Sequence, residues 1–103
     1  MTEPQYQSYL KQKIKDLFPG CIVQKEDPEY LQGIPDLLIL YKSKWASLEV
    51  KISEDADHQP NQDYYVYKMN QMSFSRFIFP ENENEVFDEL ILYFNGGHNN
   101  EIQ

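Results

Sequence analysis

Between Gly33 and Lys51 the chain reads GIPDLLILYKSKWASLEVK, two apolar runs separated by a short polar turn. Runs of this kind favour extended backbone, and the turn between them predicts a hairpin. Each run nevertheless carries charge: Asp36 opens the first, and Glu49 and Lys51 sit near the end of the second. Burying such groups without partners is costly, so their presence on a sheet points to a site. Side chains alternate along a strand, which puts Glu49 and Lys51 on one face and Leu48, Val50 and Ile52 on the other. Closure through a two-residue loop at Lys42–Ser43, or a four-residue loop from Tyr41 to Lys44, pairs Leu40 with Trp45 and, counting back, Asp36 with Glu49. Directly opposed residues have Cβ atoms about 5 Å apart, and two carboxylates at that spacing repel unless a cation lies between them. Oxygen donors suit a hard ion such as Mg²⁺, which takes one or two protein carboxylates and keeps water or phosphate as its other ligands. Lys51, one pleat away, adds a point positive charge.

Pro35–Asp36, twelve residues, then Glu49–Val50–Lys51 resembles the PD-(D/E)XK nuclease signature. The nearest resemblance is to small phage-encoded endonucleases of the Holliday-junction-resolvase type. Gln62-Asp63-Tyr64-Tyr65 is similar to the glutamine-plus-aromatic helix that often follows the signature, and the likeness runs from about residue 3 to residue 94. "PD" and "ExK" arise often by chance, so the resemblance rests on hairpin register, following helix and element order together. It implies an α/β domain with a restriction-endonuclease-like core, a central mixed four-stranded sheet flanked by helices in the order α-β-β-β-α-β-α. It also implies that Asp36 and Glu49 hold one or two Mg²⁺ or Mn²⁺ ions, with the Val50 carbonyl as a further ligand. Lys51 then stabilises the nucleophile or developing charge and Gln62 orients it, although a surface glutamine is the plainer reading of Gln62. A first-strand acid can join such a site, so Glu26 is either a third ligand or a solvated loop charge. Glu3 is the one early acid able to approach from the first helix. The implied activity is DNA phosphodiester hydrolysis on branched or junction DNA, by a homodimer in the cytoplasm of a phage-infected or bacterial cell.

At 103 residues the chain suffices for one domain, assigned to residues 1–96 with a polar tail over 97–103. Apolar residues at 41% and aromatics at 15% exclude a disordered chain. The lone Cys21 allows no internal disulfide. No apolar run approaches the roughly 20 residues that span a bilayer, and the polar N-terminus is unlike a signal peptide, so the reading is a soluble intracellular protein with no membrane partner. The net charge of −8 opposes a DNA-binding role, because phosphate contacts normally drive affinity. Its distribution softens the objection. All nine Lys and Arg lie between Lys11 and Arg76 with ten acids, whereas residues 77–103 hold six acids and no Lys or Arg.

Along the chain, Thr2 to Gln5 predicts a capping box ahead of a helix whose apolar stripe is Tyr6, Tyr9, Leu10, Ile14, Leu17 and Phe18, stopped by Pro19–Gly20. Lys11, Lys13 and Lys15 lie off that stripe as a solvated face, with phosphate contact by Lys11 and Lys15 as the alternative. CIVQKE, residues 21–26, predicts the first strand, and Tyr30 in the following loop is read as packed or as stacking on a nucleotide. Trp45 shares the Glu49 face and is expected to pack. His58, alone in a polar loop, is read as exposed and left out of the site. Pro60 opens a second helix with Val66, Met69 and Met72 as core positions and Lys68 as a phosphate contact. SFSRFIFP predicts a buried fourth strand, where Arg76 meets DNA or neutralises acids at the core edge. Asn82 to Glu85 predicts another capping box before a helix with Val86, Phe87, Leu90, Ile91 and Phe94 inward. Two further functions stand beside DNA cleavage: a non-enzymatic acidic binding or inhibitor protein that keeps the fold, and an RNA-directed nuclease.

Overall fold

Thr2 starts the first helix, α1 (Glu3–Leu17), through the reciprocal cap read from the sequence: Thr2 Oγ1 accepts the Gln5 amide and Gln5 Oε1 accepts the Thr2 amide. The computed structural model describes residues 1–96. After α1 come β1 (Ile22–Lys25), β2 (Leu37–Tyr41), β3 (Lys44–Val50), α2 (Pro60–Met72), β4 (Phe74–Ile78) and α3 (Glu83–Phe94). The expected element order is the observed one. The tail assigned to 97–103 lies outside the described residues.

The four strands form one sheet in the order β1-β2-β3-β4. The first three are antiparallel neighbours, while β4 runs parallel to β3 after the α2 crossover, so the sheet is mixed. The hairpin closes through the two-residue turn Lys42–Ser43, with Lys42 in the left-handed region at φ 57°. Leu40 pairs with Trp45 and Leu37 with Leu48, which is the register read from the sequence.

Alternation gives the sheet two unlike faces. Leu37, Ile39, Ala46, Leu48, Val50, Phe74 and Ile78 join Tyr6, Leu10, Ile14 and Phe18 of α1 and Val86, Phe87, Leu90 and Phe94 of α3 in one buried cluster. At roughly 1.5–3 kcal/mol per fully buried large apolar side chain, this layer supplies most of the drive to fold. The opposite face carries Leu38, Leu40, Trp45, Ser47, Glu49, Ser75 and Phe77, and α2 crosses it. Ser47 and Ser75 satisfy each other there at 2.7 Å.

Three expectations need correction. Met72 is 64% exposed and Met69 half-buried, leaving Val66 as the buried apolar position of α2, because the rest of its stripe overhangs an open groove with Leu38, Leu40 and Trp45. Asn82 begins α3 without capping it: its side chain turns back, accepting from the Phe79 amide and donating to the Phe77 carbonyl. Tyr30 is 91% exposed instead of packed, at the edge of an open groove with Gln24, Lys25 and Leu31. His58 is exposed, as expected, and its ring also stacks on Phe77 with centroids 4.1 Å apart while Nδ1 bonds Asp63 Oδ1 at 2.9 Å.

Gly33 ties the long connection before β2 to α2. It adopts φ 91°, and a Cβ there would fall 2.3 Å from the Asn61 Cβ. Only glycine allows that approach.

Candidate active site

At the open end of the β2–β3 hairpin the ladder stops at Leu37–Leu48, and the next residues back are Asp36 and Glu49. Asp36 is fixed by the backbone, because its Oδ2 accepts the Val50 amide at 2.8 Å. Its own carbonyl accepts the Glu26 amide at 2.8 Å, extending the β1–β2 pairing by one step. Glu49 and Lys51 are 3% and 6% exposed, far less than charged residues usually are.

Gln62, in the first turn of α2, joins the two. Its Nε2 donates to Glu49 Oε2 at 3.1 Å, and its Oε1 accepts from Lys51 Nζ at 2.7 Å and from the Gln59 amide at 2.9 Å. Lys51 Nζ also donates to the Asp57 carbonyl at 2.9 Å. Glu49, Lys51 and Gln62 therefore meet beside Asp36, with Glu49 and Lys51 on the one face that alternation predicts.

The electrostatics are those of a strained carboxylate pair. Burial, then the neighbouring Asp36 carboxylate, push Glu49 from an ordinary 4.5 up to about 8, against the pull of Lys51. Glu3 adds a smaller push. Glu3 is itself raised, first by partial desolvation and next by Asp36. The first turn of α1 thus brings a third acid within electrostatic reach, whereas Glu26 is not among the charges acting on Glu49. Glu26 Oε1 is instead buried with no hydrogen-bond partner. Among the described residues no group of three or more His, Cys, Asp and Glu is arranged to hold a metal ion. The two carboxylates present match the donor set Mg²⁺ uses when water and phosphate complete its shell.

No protein-family profile and no curated protein matches the sequence. A comparison of folds does find a match: a solved VRR_NUC domain superposes with a TM-score of 0.67 over 84% of this chain and 94% of that one, at 25% identity. The chain has a PD-(D/E)XK-type nuclease fold.

Within this PD-(D/E)XK-type fold the residues singled out for nucleic-acid contact are scattered. Lys15 and Lys68 are exposed and Lys11 is half-buried, each at a helix surface. Arg76 is engaged inside the protein: it donates to Glu89 Oε1 at 3.1 Å and bonds Asn70 Oδ1 and the Ser75 carbonyl. That is the arrangement of a charge neutralising acids at the core edge. Sequence reasoning missed the Asp57 carbonyl that holds Lys51, since nothing in a polar loop marks a backbone acceptor. It also missed Glu83. This buried acid accepts from Tyr6, Tyr9 and Lys13 at 2.9, 2.8 and 2.7 Å. Burial alone would raise its pKa, but the bonds from Lys13, Tyr9 and Tyr6 outweigh burial and hold the carboxyl below the usual range.

Proposed function

We propose that this domain is a metal-dependent endonuclease that hydrolyses DNA phosphodiester bonds, with branched or junction DNA as substrate. The observation carrying the reading is the convergence of Asp36, Glu49, Lys51 and Gln62 at one end of the hairpin, with a buried carboxylate that has no stabilising cation of full strength. The nuclease fold of the VRR_NUC domain supports the same class of chemistry. Asp36 and Glu49 would hold one or two Mg²⁺ or Mn²⁺ ions with the Val50 carbonyl, and the orphaned Oε1 of Glu26 supports a place for it as an additional donor. Such an ion supplies Lewis acidity and a nucleophile active at neutral pH.

The chain's own groups do the remaining work. The Val50 amide holds Asp36 Oδ2 in place. Gln62 and Asp57 hold the Lys51 ammonium in one place, where it stabilises charge developing on the phosphate. Gln62 keeps one amide hydrogen for a water or phosphate oxygen, its other polar valences being used. Lys68, Lys11 and Lys15 supply backbone contacts, and Arg76 acts there only by giving up Glu89. Asp36, Glu49 and Lys51 act on the phosphate and not on a base, so selection at the bond being cut is of structure, not sequence. Cutting two strands symmetrically requires a homodimer.

The test is incubation with four-way-junction, linear duplex and single-stranded DNA, and with RNA, in Mg²⁺ and in chelator. Cutting of DNA in Mg²⁺ alone, lost on Lys51→Ala, is the expected result; equal cutting in chelator or by that variant refutes the mechanism. The net charge of −8 favours one second reading, an acidic binding or inhibitor protein keeping the fold. Calorimetric titration with Mn²⁺ separates them, because the inhibitor has no use for an ion at Asp36 and Glu49.

A further inference from the structure

Beside Gln62 lies a cleft of about 380 Å³ between the 28–33 connection and the first turn of α2. Its walls are Pro28, Gln32 and Gly33 on one side and Gln59, Pro60 and Asn61 on the other, with Gln62 at the end nearest Glu49 and Lys51. No residue lining it carries a charge. A cleft so lined has nothing to neutralise a phosphate or a cation, and it suits a neutral ligand that both gives and accepts hydrogen bonds. Carboxamides offer a donor and an acceptor side by side, the pattern that pairs with the edge of a nucleobase. Two proline rings add flat apolar surface. The volume falls in the range of small-molecule pockets, which begins near 300 Å³.

The cleft is built into the fold and is not an accident of side-chain posture. Its floor is the contact between Gly33 and Asn61, which only a residue without a Cβ permits. Asn61 Nδ2 donates to the Gln32 carbonyl at 3.5 Å across the same gap.

Resting on the nuclease reading above, we propose that this cleft binds the nucleobase of an unpaired nucleotide next to the phosphate being cut. Gln62 belongs to both places, its amide bonded to Glu49 and Lys51 and its side chain closing the cleft, so a strand threaded through the site puts a neighbouring base there. A paired base cannot enter, because its edge is occupied and its ring is stacked; the nucleotide must be unpaired or turned out of the helix. The substrates selected are flaps, bulges and branch points with a free base. Affinity gained this way needs little positive charge, which reconciles binding with the acidity of the chain.

The experiment uses the full chain with Ca²⁺ in place of Mg²⁺, so that binding is read without cutting. Duplexes carrying 2-aminopurine, either paired or in a one-nucleotide bulge, are compared by anisotropy and by the emission of the probe. The bulged duplex binds about tenfold tighter with a change in emission, and Gln32→Ala and Asn61→Leu each remove that preference while leaving affinity for the paired duplex and the circular dichroism unchanged. Equal affinity for the two duplexes, or a preference that survives in both variants, overturns the cleft assignment. In that event Mg²⁺-dependent cutting by the wild type still stands on its own; a protein that binds neither duplex and cuts nothing overturns the nuclease reading itself.

Discussion

Replacing Glu49 by Gln leaves the shape of the site intact and removes its least comfortable charge. Glu49 is 3% exposed and holds its proton up to about pH 8, against 4.5 for an ordinary glutamate. A carboxyl whose folded value is raised favours the native state below its unfolded value, and that advantage is lost as pH climbs through the folded value. Between the two values each pH unit costs the folded protein about 1.4 kcal/mol, so the accumulated penalty is roughly 3 kcal/mol at pH 7 and levels off at roughly 5 kcal/mol above pH 8. A carboxamide never ionises and still accepts the bond from Gln62 Nε2, so it escapes the whole penalty. Against a typical total of 5–15 kcal/mol for a domain, the gain is large. Urea unfolding of wild type and Glu49→Gln at pH 5, 7 and 9, without divalent ions, reads it directly. The variant is slightly more stable at pH 5, by roughly 3 kcal/mol at pH 7, and by more at pH 9. A gap that stays flat with pH, or a variant weaker than wild type at pH 7, refutes the electrostatic account of the pair.

Mn²⁺ must displace the proton that Glu49 retains, so apparent affinity rises about tenfold per pH unit between pH 6 and 8 and one proton leaves per ion, which calorimetry in buffers of different ionisation enthalpy detects. Lys51→Ala abolishes cleavage in a gel assay, and because it removes the cation that opposes the rise in Glu49, it moves the carboxyl still higher in a pH titration followed by NMR. Glu83→Ala strands the Tyr6 hydroxyl and Lys13 without their acceptor and lowers stability in urea by roughly 3 kcal/mol, through the α1–α3 contact and without altering the pH profile of Glu49.

The hairpin was legible because its information is local. Alternation and a turn of two residues are enough to bring Asp36 opposite Glu49, and the charges out of place on apolar runs mark the face. Gln62 was legible as a site residue only through the family resemblance, since its reach to Lys51 depends on how α2 lies on the sheet. Met72 was misread because periodicity reports that a stripe exists and not how much of it the sheet covers. Asn82 fits a cap by composition, yet its side chain is taken up by the end of β4 and the residue after it, where the Phe77 carbonyl and Phe79 amide occupy its Nδ2 and Oδ1. Glu83 leaves no local trace at all: its three donors sit on a helix seventy or more residues earlier in the chain.

Gln62 has a further implication. Its carboxamide has two possible orientations about the terminal bond, and the Gln59 amide, itself a donor, accepts only the one with oxygen toward Lys51. The polarity of the contact is thereby keyed by main-chain geometry. Acid and amine are thus bridged through a side chain that itself carries no charge, and its one orientation serves both.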